Sequence, residues 1–191
     1  TFVAQPHHMN KIQNLVENRW VEGLGQGTEL HHAVTGDVVG VASTDGIDFE
    51  SAYKYAREVG GAALRSMTFQ ERGRMLKRLA LHLHGMKDQF YAVSWATGAT
   101  KVDAWIDIEG GIGNLFANAS LRRRLPDTPF ATDGEFVPLS KEGTFGGHHI
   151  LVPKRGVAVH INAFNFPVWG MLEKVAVNWL AGVPAIVKPA T

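Results

Sequence analysis

"HINAFNFPVWG", residues 160–170, joins an apolar run to a stretch with helical spacing. The run before it, Val157 to Ile161, is nearly all apolar, as in a strand buried on both faces of a parallel sheet. After it, Trp169, Leu172, Val175, Ala176 and Trp179 recur at the spacing of one helix face. Pro167 suits the first helical turn, where its missing N–H breaks no helical bond. Gly182 marks the stop, and "VPAIVK", residues 183–188, reads as a second short buried strand. Strand, helix and strand in succession form a βαβ unit, which predicts an α/β fold with a parallel sheet.

Open sheets of this kind collect ligands at the carboxyl ends of their strands. Asn165 falls just beyond such an end. A carboxamide N–H there can stabilise negative charge developing on an oxygen, although it cannot itself attack a carbonyl. On pattern alone a cap or turn role competes with that reading. Asn162 could tie down the loop through its own backbone. Phe164 and Phe166 either wall a cofactor cleft or fill the core. Lys188, at the next strand end, either reaches ribose hydroxyls or phosphate, or faces water. Glu173 and Lys174 are sequence neighbours, a spacing that predicts no ion pair on one helix face. Lys174 either approaches the loop or is structural.

Outward from this unit, "FGGHHIL" contributes a strand over His148 to Val152, and Pro126 to Lys141 reads as turn-rich, with no core element. "TGATKVDAWIDIEGGIGNLFANAS" predicts a long helix, capped by Thr100 and Asp103. Gly110, Gly111 and Gly113 lie inside its periodicity, where Gly110-Gly111 could interrupt the helix, and suit close helix packing or a kink rather than phosphate binding. Arg122 to Arg124 sit near a helix C-terminus, where positive charge is favoured. "TFQERGRMLKRLALHL" is the clearest helix, with a Thr68/Glu71 capping box and a stripe of Met75, Leu76, Leu79 and Leu83. Arg72, Arg74, Lys77 and Arg78 read as its solvated face. A helix over Phe49 to Ala56 is expected to stop at Gly60-Gly61. Before it come strands at Trp20-Val21 and Val38 to Ala42, separated by a turn containing Gly23, Gly25 and Gly27.

The bulk numbers exclude several function classes. The 191 residues carry 19 basic and 18 acidic side chains, a net charge of +1, which gives no global pull toward nucleic acid or membrane. With no cysteine, disulfides, thiolate metal sites and a cysteine nucleophile are excluded within these residues. No apolar run approaches the roughly 20 residues that span a bilayer, and "TFVAQPHHM" has no signal-peptide core. A cytoplasmic location fits this composition. The nine histidines, among them the pairs 7/8, 31/32, 82/84 and 148/149, make no H-E-x-x-H pattern, and no metal site is expected. G-x-S-x-G is absent, so a nucleophile elbow is unsupported.

Taken together, "PKRGVAVHINAFNFP", the helix bearing Glu173-Lys174 and "GVPAIVKPAT" resemble the aldehyde dehydrogenase family. "NRWVEG" and "ERGRMLKRLALHL" resemble its N-terminal organisation, so the resemblance spans nearly the whole chain. Within that family, "TGATKVDAWIDIEGGIGNLFANAS", "PLSKEG" and "INAFNFPVWGMLEK" are most similar to the dehydrogenase part of the bifunctional ring-opening enzymes of phenylacetate degradation. The semialdehyde dehydrogenases of benzoyl-CoA degradation are a near alternative. A non-catalytic nucleotide- or CoA-binding module is the reading from a different class.

The resemblance implies an N-terminal portion of an aldehyde dehydrogenase over residues 1–191, with a partial Rossmann-type nucleotide-binding domain and N-terminal helices. It implies an oligomerisation hairpin in region 137–152 and the start of the cofactor-binding sheet over 156–191. By the same resemblance Asn165 helps form an oxyanion hole, while a cysteine thiolate attacks the aldehyde and a glutamate later activates water. Both of those groups are expected from residues outside this chain. Ile161, Ala163 and Phe164 would line the cofactor passage, and Lys188 would contact the adenosine ribose. Thr191 stands where NAD-using relatives often carry glutamate, which favours NADP, with NAD possible. The implied partners are a CoA-linked semialdehyde and further copies of the same chain, with a fused hydratase at the C-terminus.

Overall fold

The computed structural model describes residues 11–189. Near the N-terminus, β1 (Lys11–Val16), β2 (Arg19–Glu22), β3 (Thr28–His31) and β4 (Val38–Ala42) form one sheet in the order β2-β1-β4-β3. Only the β1–β4 contact is parallel. The glycine-rich segment between β2 and β3 is a turn, with Gly25 and Gly27 at φ +68° and +74°.

The next helix does not stop at its glycines. It runs as α1 (Phe49–Tyr55), a π-helical segment (Ala56–Gly60) and α2 (Gly61–Ser66). Gly60 and Gly61 both keep right-handed helical dihedrals. Each glycine costs only about 1 kcal/mol in a helix interior, too little to end one that is packed elsewhere.

Three helices make the core. They are α3 (Phe69–Gly85), α5 (Lys101–Ser120) and α6 (Pro167–Leu180), with α4 (Lys87–Ser94) alongside. Both expected capping boxes form. Thr68 pairs reciprocally with Glu71, and Thr100 with Asp103. Leu76 and Ala80 of α3 meet Ile108, Ile112 and Leu115 of α5 and Leu172, Ala176 and Leu180 of α6. On α5 the buried positions are Ala104, Asp107, Ile108, Gly111, Ile112, Leu115 and Ala119, one continuous helical stripe. The helix is unbroken at Gly110-Gly111. A Cβ on Gly110 would overlap the Trp169 ring, and one on Gly111 would lie 2.9 Å from Trp169 Cα. These glycines let the start of α6 approach α5.

Arg72 corrects the expected solvated face of α3, because it is fully buried. Its guanidinium lies 4.5 Å from the Phe69 ring centroid and donates to Leu64 O (3.2 Å) and Pro129 O (3.4 Å). Burial pushes its pKa down. The side chain thereby joins α2 and the 126–130 loop to α3. At the far end of α5, Arg122 donates to Ala119 O (2.6 Å), a C-terminal cap of the expected kind.

The stretch expected to be turns holds a strand. β5 (Ala131–Pro138) pairs antiparallel with β6 (Gly146–Leu151), with an irregularity between Asp133 and Val137 where Gly134 adopts φ +77°. All of β5 except Ala131 is exposed, so no inward-facing apolar alternation betrays it. The β5–β6 pairing runs from Ala131–Leu151 at one end to Pro138–Gly146 at the other. β7 (Ala158–Ile161) and β8 (Ala185–Lys188) then pair in parallel, with α6 as their crossover.

Candidate active site

The β7–β8 register sets Ile161 directly beside Lys188, and Asn162 N–H donates to Lys188 O at 3.1 Å. Both strands therefore end together, and their carboxyl edge carries Ile161, Asn162 and Lys188. The loop 162–166 leaves from this edge and enters α6. Ile161, Ala163, Phe164, Asn165 and Lys188 are all exposed there. Ile161 and Phe164 are 76% and 71% exposed, and Ile161 is the register partner of Lys188. That combination fits a nucleotide, whose base and ribose present apolar faces and hydroxyl acceptors. Thr191 lies outside the described residues.

Asn162 does more than shape its own turn. It is buried, its Oδ1 lies 3.5 Å from Lys174 Nζ, and its Nδ2 has no partner among the described residues. Lys174 Nζ also donates to Gly170 O (2.6 Å) and lies 3.4 Å from Glu173 Oε1. Glu173 and Lys174 thus do make an ion pair, contrary to their spacing, because both side chains bend toward the start of α6. Glu173 also accepts from the Trp169 indole N–H (2.8 Å).

The start of α6 is capped from another helix. Pro167 has no N–H to satisfy, and Phe166 supplies no side-chain cap. Asp107, buried on α5, accepts Val168 N–H (3.2 Å) and Trp169 N–H (2.7 Å). Gly170 N–H already bonds Phe166 O at 2.9 Å. Every first-turn donor is therefore satisfied. Burial pushes the Asp107 carboxyl upward, and its bonds to the Trp169 and Val168 amides pull it back. The helix N-terminus favours its ionised form.

Asn165, two residues before Pro167, is an exposed residue of the loop that leads into this turn. Below the strand ends, a cleft of about 700 Å³ opens between α5, α6 and β7. Asn114, Asn118, His160, Lys174 and Asn178 line it; Asn165, Ile161 and Lys188 do not. We place the candidate site at the carboxyl edge, because ligands of open α/β sheets bind outside the strand ends. His160, beside the cleft, is buried, and its Nε2 lies 2.8 Å from Asn178 Nδ2. Burial and the Lys174 charge push its pKa down, so it stays neutral. Among the described residues no three potential ligands converge on a metal position, and no helix is long and apolar enough to cross a membrane.

The missed contributors are Asp107, Trp169 and the Lys174 contacts. Asp107 was findable: with Ala104, Ile108 and Gly111 it falls on one buried helix face, where a carboxylate needs a partner.

Residues 20–191 match the aldehyde dehydrogenase family. The chain belongs to that family. It is 42% identical over 182 residues to a 3,4-dehydroadipyl-CoA semialdehyde dehydrogenase from Aromatoleum evansii, a match covering 95% of this chain and 35% of the relative. The fold matches an NAD-dependent benzaldehyde dehydrogenase from Corynebacterium glutamicum with a TM-score of 0.77 at 21% identity, over 100% of this chain and 39% of that one. It also matches an NADP-dependent enzyme from E. coli with a TM-score of 0.76 at 19% identity, over 95% and 36% respectively. The chain therefore spans about a third of the length of these proteins. Its α/β architecture, with N-terminal helices and a Rossmann-type unit, is that of the family and is consistent with NAD(P) use. Because both cofactors occur among these fold matches, the fold gives no basis for choosing between them.

Proposed function

We propose that the polypeptide carrying this chain oxidises a CoA-linked semialdehyde to the carboxylic acid with NAD(P) as hydride acceptor. The observation that carries this reading is the 42% identity, over 95% of the chain, to the 3,4-dehydroadipyl-CoA semialdehyde dehydrogenase. In this reading Asn165 donates its carboxamide N–H to the aldehyde oxygen, stabilising the alkoxide that develops on attack. Ile161, Ala163 and Phe164 line the cofactor passage, and Lys188 holds the adenosine ribose. The nucleotide, when bound, takes the hydride. Water supplies the second oxygen of the acid, so aldehyde, oxidised cofactor and water give acid, reduced cofactor and a proton. The attacking thiolate comes from outside these residues, which contain no cysteine. The 191 residues alone are therefore expected to oxidise no aldehyde.

We favour NADP over NAD, because Thr191 removes an acidic side chain that would repel a 2′-phosphate. We also favour a cytoplasmic homo-oligomer joined through the β5–β6 hairpin. Phe136, Leu139, Phe145 and Ile150 there are more than half exposed, apolar surface that a second copy would cover. Phenylacetate catabolism, with a fused ring-opening hydratase, is the pathway role we prefer. The Aromatoleum relative carries a single activity in its name, which favours a stand-alone semialdehyde dehydrogenase as the second reading.

The test is an assay of the complete protein with 3,4-dehydroadipyl-CoA semialdehyde, following reduced nicotinamide with NADP and NAD separately. Turnover of the CoA thioester well above that of the free semialdehyde is expected. Equal use of both would overturn the CoA assignment, and tighter binding of NAD would overturn the cofactor preference.

A further inference from the structure

We propose that Asp107 is a positioning residue for Asn165. The inference rests on the oxyanion role proposed above and names the device that fixes the carboxamide.

The loop 162–166 is held at both ends. At its start, Asn162 N–H is bonded to Lys188 O, in line with the sheet. At its end the anchor is the first turn of α6, and this turn has no capping side chain of its own. Asp107 reaches across from α5 and takes both free amides, at 3.2 and 2.7 Å. One helical turn further along α5, Gly110 and Gly111 receive Trp169 in contact too close for a Cβ. The carboxylate and the glycine seat therefore clamp the same turn, one through polar bonds and the other through packing.

Asn165 sits three residues before the nearer of the two clamped amides. An oxyanion donor works only when its hydrogen lies at bonding distance from where the charge will develop. A displacement of about 1 Å can cost about a hundredfold in rate. Asp107→Asn keeps the shape but replaces one acceptor oxygen with an N–H donor. That donor faces a backbone N–H, so the turn must shift and carry Asn165 with it.

The test uses the complete enzyme and a double-variant cycle of Asp107→Asn and Asn165→Ala. Single-turnover hydride transfer is measured at saturating substrate, alongside the Kd of the oxidised cofactor. Asn165→Ala is expected to slow hydride transfer by on the order of a hundredfold or more. Asp107→Asn is expected to slow it by about tenfold or more without changing cofactor Kd, and to add nothing when Asn165 is already alanine. A purely structural role would lower the unfolding midpoint and leave the hydride-transfer rate of the folded fraction unchanged. Wild-type hydride transfer in Asp107→Asn, or losses that multiply in the double variant, overturns the inference while leaving the oxyanion role intact. Wild-type rates in Asn165→Ala overturn the oxyanion role, and the inference with it. If Asp107→Asn does not accumulate as folded protein, Gly111→Ala presses on the same turn and is judged by the same criteria.

Discussion

Gly111 and Trp169 meet backbone to backbone. A Cβ on Gly111 would stand 2.9 Å from Trp169 Cα and 3.0 Å from its amide nitrogen. Neither atom belongs to a side chain that can swing away, so α6 as a whole must move to admit a methyl group.

Gly111→Ala is therefore expected to destabilise the protein by about 1–3 kcal/mol, the usual cost of overpacking. Gly113, on the same helix, is exposed and has open space where a Cβ would go. Gly113→Ala should instead stabilise by about 0.5–1 kcal/mol through helix propensity. Urea unfolding of the two variants checks the contrast, and equal shifts would refute it.

Arg72 is expected to discriminate between loss of volume and loss of charge. Arg72→Ala leaves a cavity and strips partners from Leu64 O and Pro129 O, a loss of about 3 kcal/mol. Arg72→Met retains most of the packing and removes a desolvated cation, so its loss should be about 1–2 kcal/mol. Chemical denaturation of both variants would reveal the order.

His160 makes stability depend on pH. Its folded pKa is lowered by burial and by Lys174, so the unfolded chain binds more protons between that value and the usual 6.5. Its contribution is complete above pH 6.5 and is lost as pH falls through the folded pKa. The slope in that window is at most about 1.4 kcal/mol per pH unit for one proton. Denaturation midpoints of wild type and His160→Gln, compared at several pH values across the window, should converge as the pH is lowered. A pH-independent difference would show that His160 does not titrate on unfolding.

In the complete enzyme, Lys188→Ala should weaken cofactor binding by about tenfold, the loss of one hydrogen-bonded cation, about 1.4 kcal/mol. It should leave hydride transfer from the bound complex near wild type, because Lys188 lies across the strand edge from the loop bearing Asn165. A loss confined to hydride transfer would contradict the ribose role.

Apolar periodicity made β4, α3, α5 and α6 legible, and Thr68/Glu71 and Thr100/Asp103 marked two helix starts on composition alone. β5 was not legible, because almost all its side chains are exposed and only the pairing with β6 makes it a strand. Gly60-Gly61 misled in the opposite direction, since the glycines weaken a helix without dictating its end. Arg72 was hidden by its charge, although it lies four residues before Leu76 and eight before Ala80, on the buried stripe. At the site, the order of residues along 160–170 gave the loop and the strand end. The partners of that loop come from α5 and from farther along α6: Lys174 was readable as a residue near the loop and Asp107 as a buried carboxylate in need of a partner, but which groups they bond is set by the packing of the helices.

The acceptor for the first amides of α6 is thus lodged 61 and 62 residues earlier in the chain. A helix that relied on its own preceding residue would need serine, threonine, aspartate or asparagine where Phe166 stands. Outsourcing that duty to a neighbouring helix releases the whole approach segment from any obligation to begin α6. Ala163, Phe164 and Phe166 carry no capping duty, while Asn162 keeps its bond to the sheet and the scaffold beneath the segment stays unchanged.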